Sequence, residues 1–130
     1  MKMKVTYDGG MKFTGKVRGH EIVIDQPKEG GGSDLGPTPP ELFVASLASC
    51  VGVYAAFYCN THEISIEGME LDVEWEKAER PTRVGKVAVS ITIPGGVPQE
   101  MRERVVTAAK HCLIHNTLEN HPEVIVELKQ

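Results

Sequence analysis

The stretch "TPPELFVASLASCVGVYAAFYCN", Thr38 to Asn60, decides the fold. Thr38 followed three residues later by Glu41 has the spacing of a capping box. Pro39 suits a first helical position, where an N–H would have had no partner anyway. From Leu42 onward the sequence is apolar almost all round, so it predicts a helix to about Tyr58 or Asn60 that is buried on most faces. Its small residues (Ala45, Ala48, Gly52, Ala55, Ala56) let other elements approach the backbone closely. The apolar run from Leu42 to Tyr58 falls short of the roughly 20 residues that span a bilayer. It also carries Ser46 and Ser49, so a core helix is expected and no membrane. One thiol, Cys50, stands in its middle.

Working outward, "QPKEGGGSDLGPTPP" (Gln26 to Pro40) is a loop dense in glycine and proline, too short to divide the chain into domains. One domain over residues 1–130 is expected. Upstream, "VTYDGGMKFTGKVRGHEIVID" reads as strands broken by turns at Asp8-Gly9-Gly10 and at "VRGH". Downstream, "ISIEGMELDVEWEKA" alternates, with Leu71, Val73 and Trp75 on one face, and "KVAVSITIP" repeats the pattern with Val87, Val89, Ile91 and Ile93. "VPQEMRERVVTAAKHCLIHNTLEN" is a second helical region. There Met101, Val105, Ala108 and Cys112 recur at helical spacing, which turns Cys112 inward. "EVIVELK" is expected to close the chain as a strand. The order predicts an α+β fold, antiparallel sheet packed on buried helices.

The bulk numbers agree with a soluble domain. The chain has 130 residues, 41% hydrophobic and 25% charged, with a net charge of -4. No basic stripe is present, so nucleic acid is not an expected partner. The charged start "MKMKVTYDGG" has no apolar secretory segment. Three cysteines are an odd number without a disulfide framework, which points to a reducing cytoplasm.

Geometry removes one cysteine pair. Cys50 and Cys59 lie nine residues apart on one helix, roughly 13 Å along its axis, whereas a disulfide needs Cα atoms within about 7 Å. Cys59 reads as core packing. Cys50 and Cys112 each face inward from a helix, and spacing alone leaves them open as core residues or as a pair. His111 and His115 are four apart, a spacing that can grip a metal. No third ligand and no HExxH motif accompany them, so no metal is expected.

The wording of three segments goes further. "GPTPPELFVASLASC", Gly36 to Cys50, resembles the first cysteine motif of the OsmC/Ohr family, the osmotically inducible and organic hydroperoxide resistance proteins. "HCLIHNTLENHPEVIVEL" resembles the family's second-cysteine segment, and "RGHEIVIDQPKEGGGSDLG" its strand and glycine-rich loop. The resemblance covers nearly the whole chain with both cysteine motifs in order. It implies an OsmC-like fold, an intertwined homodimer with sheets wrapped around central helices and sites at the subunit interface. It also implies that Cys50 is the peroxidatic and Cys112 the resolving cysteine. Organic hydroperoxides would be the substrates, a dithiol the reductant, and no cofactor is used.

Two positions depart from the hydroperoxide-resistance branch, where an arginine and a glutamate assist the first cysteine. The glutamate's position is Pro40 here, with Glu41 one place later, and the arginine's position after the glycine pair Gly9-Gly10 is Met11. A reactive thiol must ionise, and apolar surroundings oppose that. Arg18 is the expected replacement cation, with Arg80 and Arg83 of the later loop as alternatives, and Glu41 or a neighbouring polar group orienting it. The expected function is therefore a cytoplasmic thiol peroxidase acting through a Cys50 sulfenate and a Cys50–Cys112 disulfide. The alternative is a non-catalytic module of the same fold that binds a small apolar ligand.

Overall fold

The opening of the long helix obeys its sequence. In a computed structural model describing residues 1–129, helix α1 spans Pro39–Thr61. The Thr38 amide and hydroxyl both donate to Glu41 Oε1 at 2.9 Å, and the Glu41 amide donates back to Thr38 Oγ1 at 3.3 Å. This is the reciprocal capping box. At the other end Glu63 turns left-handed with φ 55°, and the Ile64 amide donates to the Cys59 carbonyl at 2.8 Å. The chain thus leaves the helix with Ile64 buried against it.

Contacts divide the chain into two compact units, Met1–Ala45 and the remainder from Ser46, with α1 beginning in the first and continuing in the second. The first unit holds an antiparallel sheet of β1 (Lys4–Tyr7), β2 (Phe13–Val17) and β3 (His20–Ile24) in that order. Val17 pairs with His20, so Arg18 and Gly19 alone make the β2–β3 turn, with φ of 49° and 80°. Two positive φ values in a two-residue loop are the turn that matches strand twist.

Asp25, directly after β3, organises the glycine-rich loop. It is 1% exposed, and its carboxylate accepts from the amides of Gln26 (2.8 Å), Ser33 (3.2 Å) and Leu35 (3.1 Å). A Cβ on Gly32 would stand 2.1 Å from the Gln26 carbonyl oxygen and 2.7 Å from Asp25 Oδ1. Only glycine lets the loop close on the carboxylate here. The Gln26 amide is the chief influence holding the Asp25 pKa below its ordinary 3.8; burial opposes it, and the Leu35 and Ser33 amides and the Lys12 charge add to the lowering. A carboxylate lowered in the folded state adds stability that is present above its unfolded pKa and lost as pH falls through the folded one. Asp25→Asn should therefore lower the Tm at neutral pH and flatten its decline on acidification below the usual carboxylate range, as thermal melts across that range would register. A parent-like melting profile would mean the carboxylate does not hold the loop.

The second unit carries the helical core. Strands β4 (Glu70–Ala78) and β5 (Arg83–Thr92) form an antiparallel hairpin, with Leu71 opposite Ile91 and Val73 opposite Val89. The alternation read from the sequence holds on β5: Val87, Val89 and Ile91 are half-buried, while Ala88, Ser90 and Thr92 are exposed. Helix α2 spans Arg102–Lys110 and α3 spans Leu113–Glu119. Ala55 and Cys59 of α1, Ile64, and Val105 and Ala109 of α2 form the buried cluster. Leu71 approaches so near to α1 that a Cβ on Gly52 would lie 3.2 Å from its Cδ1.

Two expectations need correction. The second helical region is two helices, not one. It breaks at His111–Cys112, because Cys112 takes an extended conformation (φ -69°, ψ 154°) and caps α3. The expected closing strand is absent in the single chain. Residues 121–129 have no regular structure, and their apolar side chains are open to solvent, Val126 at 91% exposure. A strand needs a neighbouring strand to accept its backbone groups, and none pairs with this segment among the described residues.

Candidate redox site

Cys50 lies at the middle of α1, half-buried, and Cys112 is fully buried at the start of α3. The structure brings these two together, near enough for the Cys50 side chain to influence the Cys112 thiol. Cys59 is fully buried in the apolar cluster, as its place near the helix end suggests. All three thiols are free.

The local backbone explains how Cys112 is held. As the residue capping α3, its Sγ accepts from the His115 amide at 3.3 Å, the place a serine or aspartate oxygen usually fills. Burial is the main influence raising its pKa; the neighbouring Cys50 raises it further, while the amides of His115 and Ile114 pull it down. The balance favours the protonated thiol. Burial alone raises the Cys59 thiol. So the pair consists of one half-buried cysteine and one held dry and protonated beside it. That asymmetry suits a nucleophile with a proton-bearing partner, since a condensation that expels water needs the second thiol's proton.

The supporting residues named from sequence fall in the first unit. Arg18 sits at the exposed tip of the β2–β3 hairpin. Glu41 is the helix cap described above, and the Thr38 amide is the chief influence lowering its pKa. His111 and His115 do not face a common ligand. The His111 Nδ1 meets the Thr107 carbonyl at 2.7 Å. The His115 Nδ1 meets the Lys110 carbonyl at 2.7 Å, and its Nε2 lies 3.1 Å from Glu119 Oε1. Among the described residues no group of three or more His, Cys, Asp or Glu could hold a metal. The role of His115 was missed from sequence. The only signal was its place three residues after Cys112, the separation at which a capping side chain meets a backbone amide.

The OsmC-like protein family profile matches residues 30–127, most of the chain and both cysteine segments. The chain belongs to the OsmC-like family. Solved structures agree with this assignment. A candidate osmotic stress induced and detoxification response protein from Psychrobacter arcticus is 26% identical with a TM-score of 0.84, covering 90% of this OsmC-like chain and 87% of that one. The organic hydroperoxide resistance protein OhrB of Bacillus subtilis is 25% identical with a TM-score of 0.64, covering 99% and 98%. An OsmC-like protein from Mycoplasma pneumoniae, 20% identical with a TM-score of 0.76 over 92% and 87%, shares the fold. No curated protein matches this OsmC-like sequence.

Proposed function

We propose that this OsmC-like protein is a homodimeric thiol peroxidase that reduces organic hydroperoxides. The observation that carries the reading is the contact between half-exposed Cys50 and buried, protonated Cys112. The similarity to OhrB of Bacillus subtilis, named for organic hydroperoxide resistance, supports the substrate class. In the first step the Cys50 thiolate attacks the outer oxygen of the peroxide. An S–O bond forms, the O–O bond breaks, and the alkoxide leaves as an alcohol after taking a proton. Cys112 then attacks the sulfenic sulfur, and its proton departs with the hydroxyl as water, leaving a Cys50–Cys112 disulfide. An external dithiol restores both thiols by exchange and is itself oxidised to a disulfide. A reducing cytoplasm, which keeps resting thiols free, is the compartment we assign.

Arg18 is the cation we assign to the Cys50 thiolate, with Glu41 serving chiefly as the cap of α1. Arg18→Met should slow alkylation of Cys50 at about pH 7 far more than at about pH 10, where an ordinary thiol ionises without help from a cation. Equal slowing at both values would clear Arg18 of this role.

The test of the reading as a whole is a titration of the reduced protein with one equivalent of an alkyl hydroperoxide. The chain should lose two hydrogen atoms in mass and two of its three thiols, with Cys59 spared. Retention of all three thiols would instead favour a binding module whose cysteines are spectators.

A further inference from the structure

Helix α2 gives way to α3 across His111 and the extended Cys112, and side chains stitch the joint. The last turn of a helix leaves carbonyls without amide partners. Here the Thr107 carbonyl meets the His111 ring at 2.7 Å and the Lys110 carbonyl meets the His115 ring at 2.7 Å. The His111 carbonyl accepts from Asn116 Nδ2 at 3.3 Å. His115 and Asn116 belong to α3, so α3 is fastened to the end of α2 by side chains of its own first turn.

His115 does more than the others. A carbonyl oxygen only accepts, so its Nδ1 carries the hydrogen toward Lys110. Its Nε2 lies 3.1 Å from Glu119 Oε1, one turn further along α3. Both contacts are hydrogen bonds at once when both ring nitrogens carry hydrogen, a form whose positive charge also suits the carbonyl end of α2. The backbone amide of the same residue donates to Cys112 Sγ at 3.3 Å. One residue thus ties α3 to the chain just before Cys112 and also aims the sulfur.

We infer that His115 is a positioning residue for the resolving step, its ring holding the start of α3 so that the Cys112 sulfur can reach Cys50. A disulfide accepts only a narrow geometry, with Cβ atoms about 3.5–4.5 Å apart. A misplacement of about 1 Å can cost about 10² in rate. The inference rests on the Cys50–Cys112 pairing of the peroxidase reading, and its test replaces the peroxide with a small disulfide so that the two can fail separately.

The intact reduced protein is mixed with bis(2-hydroxyethyl) disulfide. The Cys50 thiolate attacks one sulfur, a mixed disulfide forms, and mercaptoethanol leaves as its thiolate. Cys112 then gives up its proton and attacks the Cys50 sulfur. The Cys50–Cys112 bond forms, the mixed disulfide breaks, and a second mercaptoethanol leaves with a proton. Mass spectrometry of quenched samples follows the mixed disulfide as it forms and decays. His115→Phe keeps a ring and the backbone amide, yet it should lengthen the life of the mixed disulfide about tenfold to a hundredfold without slowing its formation. His115→Gln can again donate to the Lys110 carbonyl and should restore much of the rate. Glu119→Ala, at an exposed position, should lengthen the life about twofold to fivefold, the range of one exposed ion pair, and carries the test if His115→Phe does not fold. Decay at the parent rate in these variants, an equal slowing of formation, or no rescue by His115→Gln would each overturn the inference. So would a parent chain that keeps its mixed disulfide. The hydroperoxide titration can fail while this exchange runs as described, and the reverse.

Discussion

Replacing Cys50 by serine is expected to reduce turnover of an alkyl hydroperoxide to the uncatalysed rate, a loss of several orders of magnitude. Removing a nucleophile from an enzyme that depends on it costs about 10⁶ in kcat in a well-studied case. The two other cysteines should behave differently from it and from each other. Cys112→Ser leaves the attacking sulfur in place, so one equivalent of peroxide should still be consumed per chain. The sulfenic acid would then persist, because the buried thiol proposed to condense with it is gone. Its capture by a carbon acid such as dimedone would show as a mass increase on the Cys50 peptide. Cys59→Ala should spare turnover, since burial in the apolar cluster with Ala55 and Val105 gives that thiol a packing role. Steady turnover in Cys112→Ser with a dithiol reductant would mean that the reductant attacks the sulfenate directly, and Cys112 would lose the role assigned to it.

That ordering of the three cysteines was partly legible in the sequence. Helix α1 was, because Thr38, Pro39 and Glu41 are local signals acting over one turn, and local signals do not wait for tertiary contacts. The Arg18-Gly19 turn and the alternation of Val87, Val89 and Ile91 were legible for the same reason. The break at Cys112 was not. Met101, Val105, Ala108 and Cys112 keep helical spacing straight through it, and periodicity cannot report a single extended residue. Cysteine is also an uncommon cap, so residue type gave no warning. The result is close to what the wrong picture implied, because Cys112 is buried either way. The reason differs: a helix start, with its own amides aimed at the sulfur, stands where a helix interior was expected. An apolar cavity lined by Leu47, Val89 and Lys110 was illegible as well, since these residues come from three separate elements and only tertiary packing joins them.

Phe57→Glu is expected to convert the proposed homodimer into a destabilised monomer. In the single chain Val53 and Phe57 of α1 are 50% and 67% exposed, and the tail adds Val124, Ile125, Val126 and Leu128, all open to solvent. A helix this apolar that leaves one stripe uncovered, together with a β-prone tail that has no partner strand, calls for a covering surface. We assign that surface to a second copy, in keeping with the homodimer proposed above. Position 57 lies on the uncovered stripe, where Phe57 meets Tyr54 edge-on at 6.4 Å. A glutamate there would bring an unpaired carboxylate into the subunit contact, and an uncompensated buried charge costs about 3–5 kcal/mol. At about 1.4 kcal/mol per tenfold, the dissociation constant should rise by roughly two to four orders of magnitude. Truncation after Pro122 should act in the same direction by removing the tail's apolar side chains. Sedimentation velocity over a concentration series reads both changes. A parent chain that sediments as a folded monomer at micromolar concentration would sink the assignment outright, whatever the variants do. If instead the parent is a dimer and Phe57→Glu leaves it one, the stripe lies outside the contact, and the effect of the tail truncation decides whether the tail lies inside it.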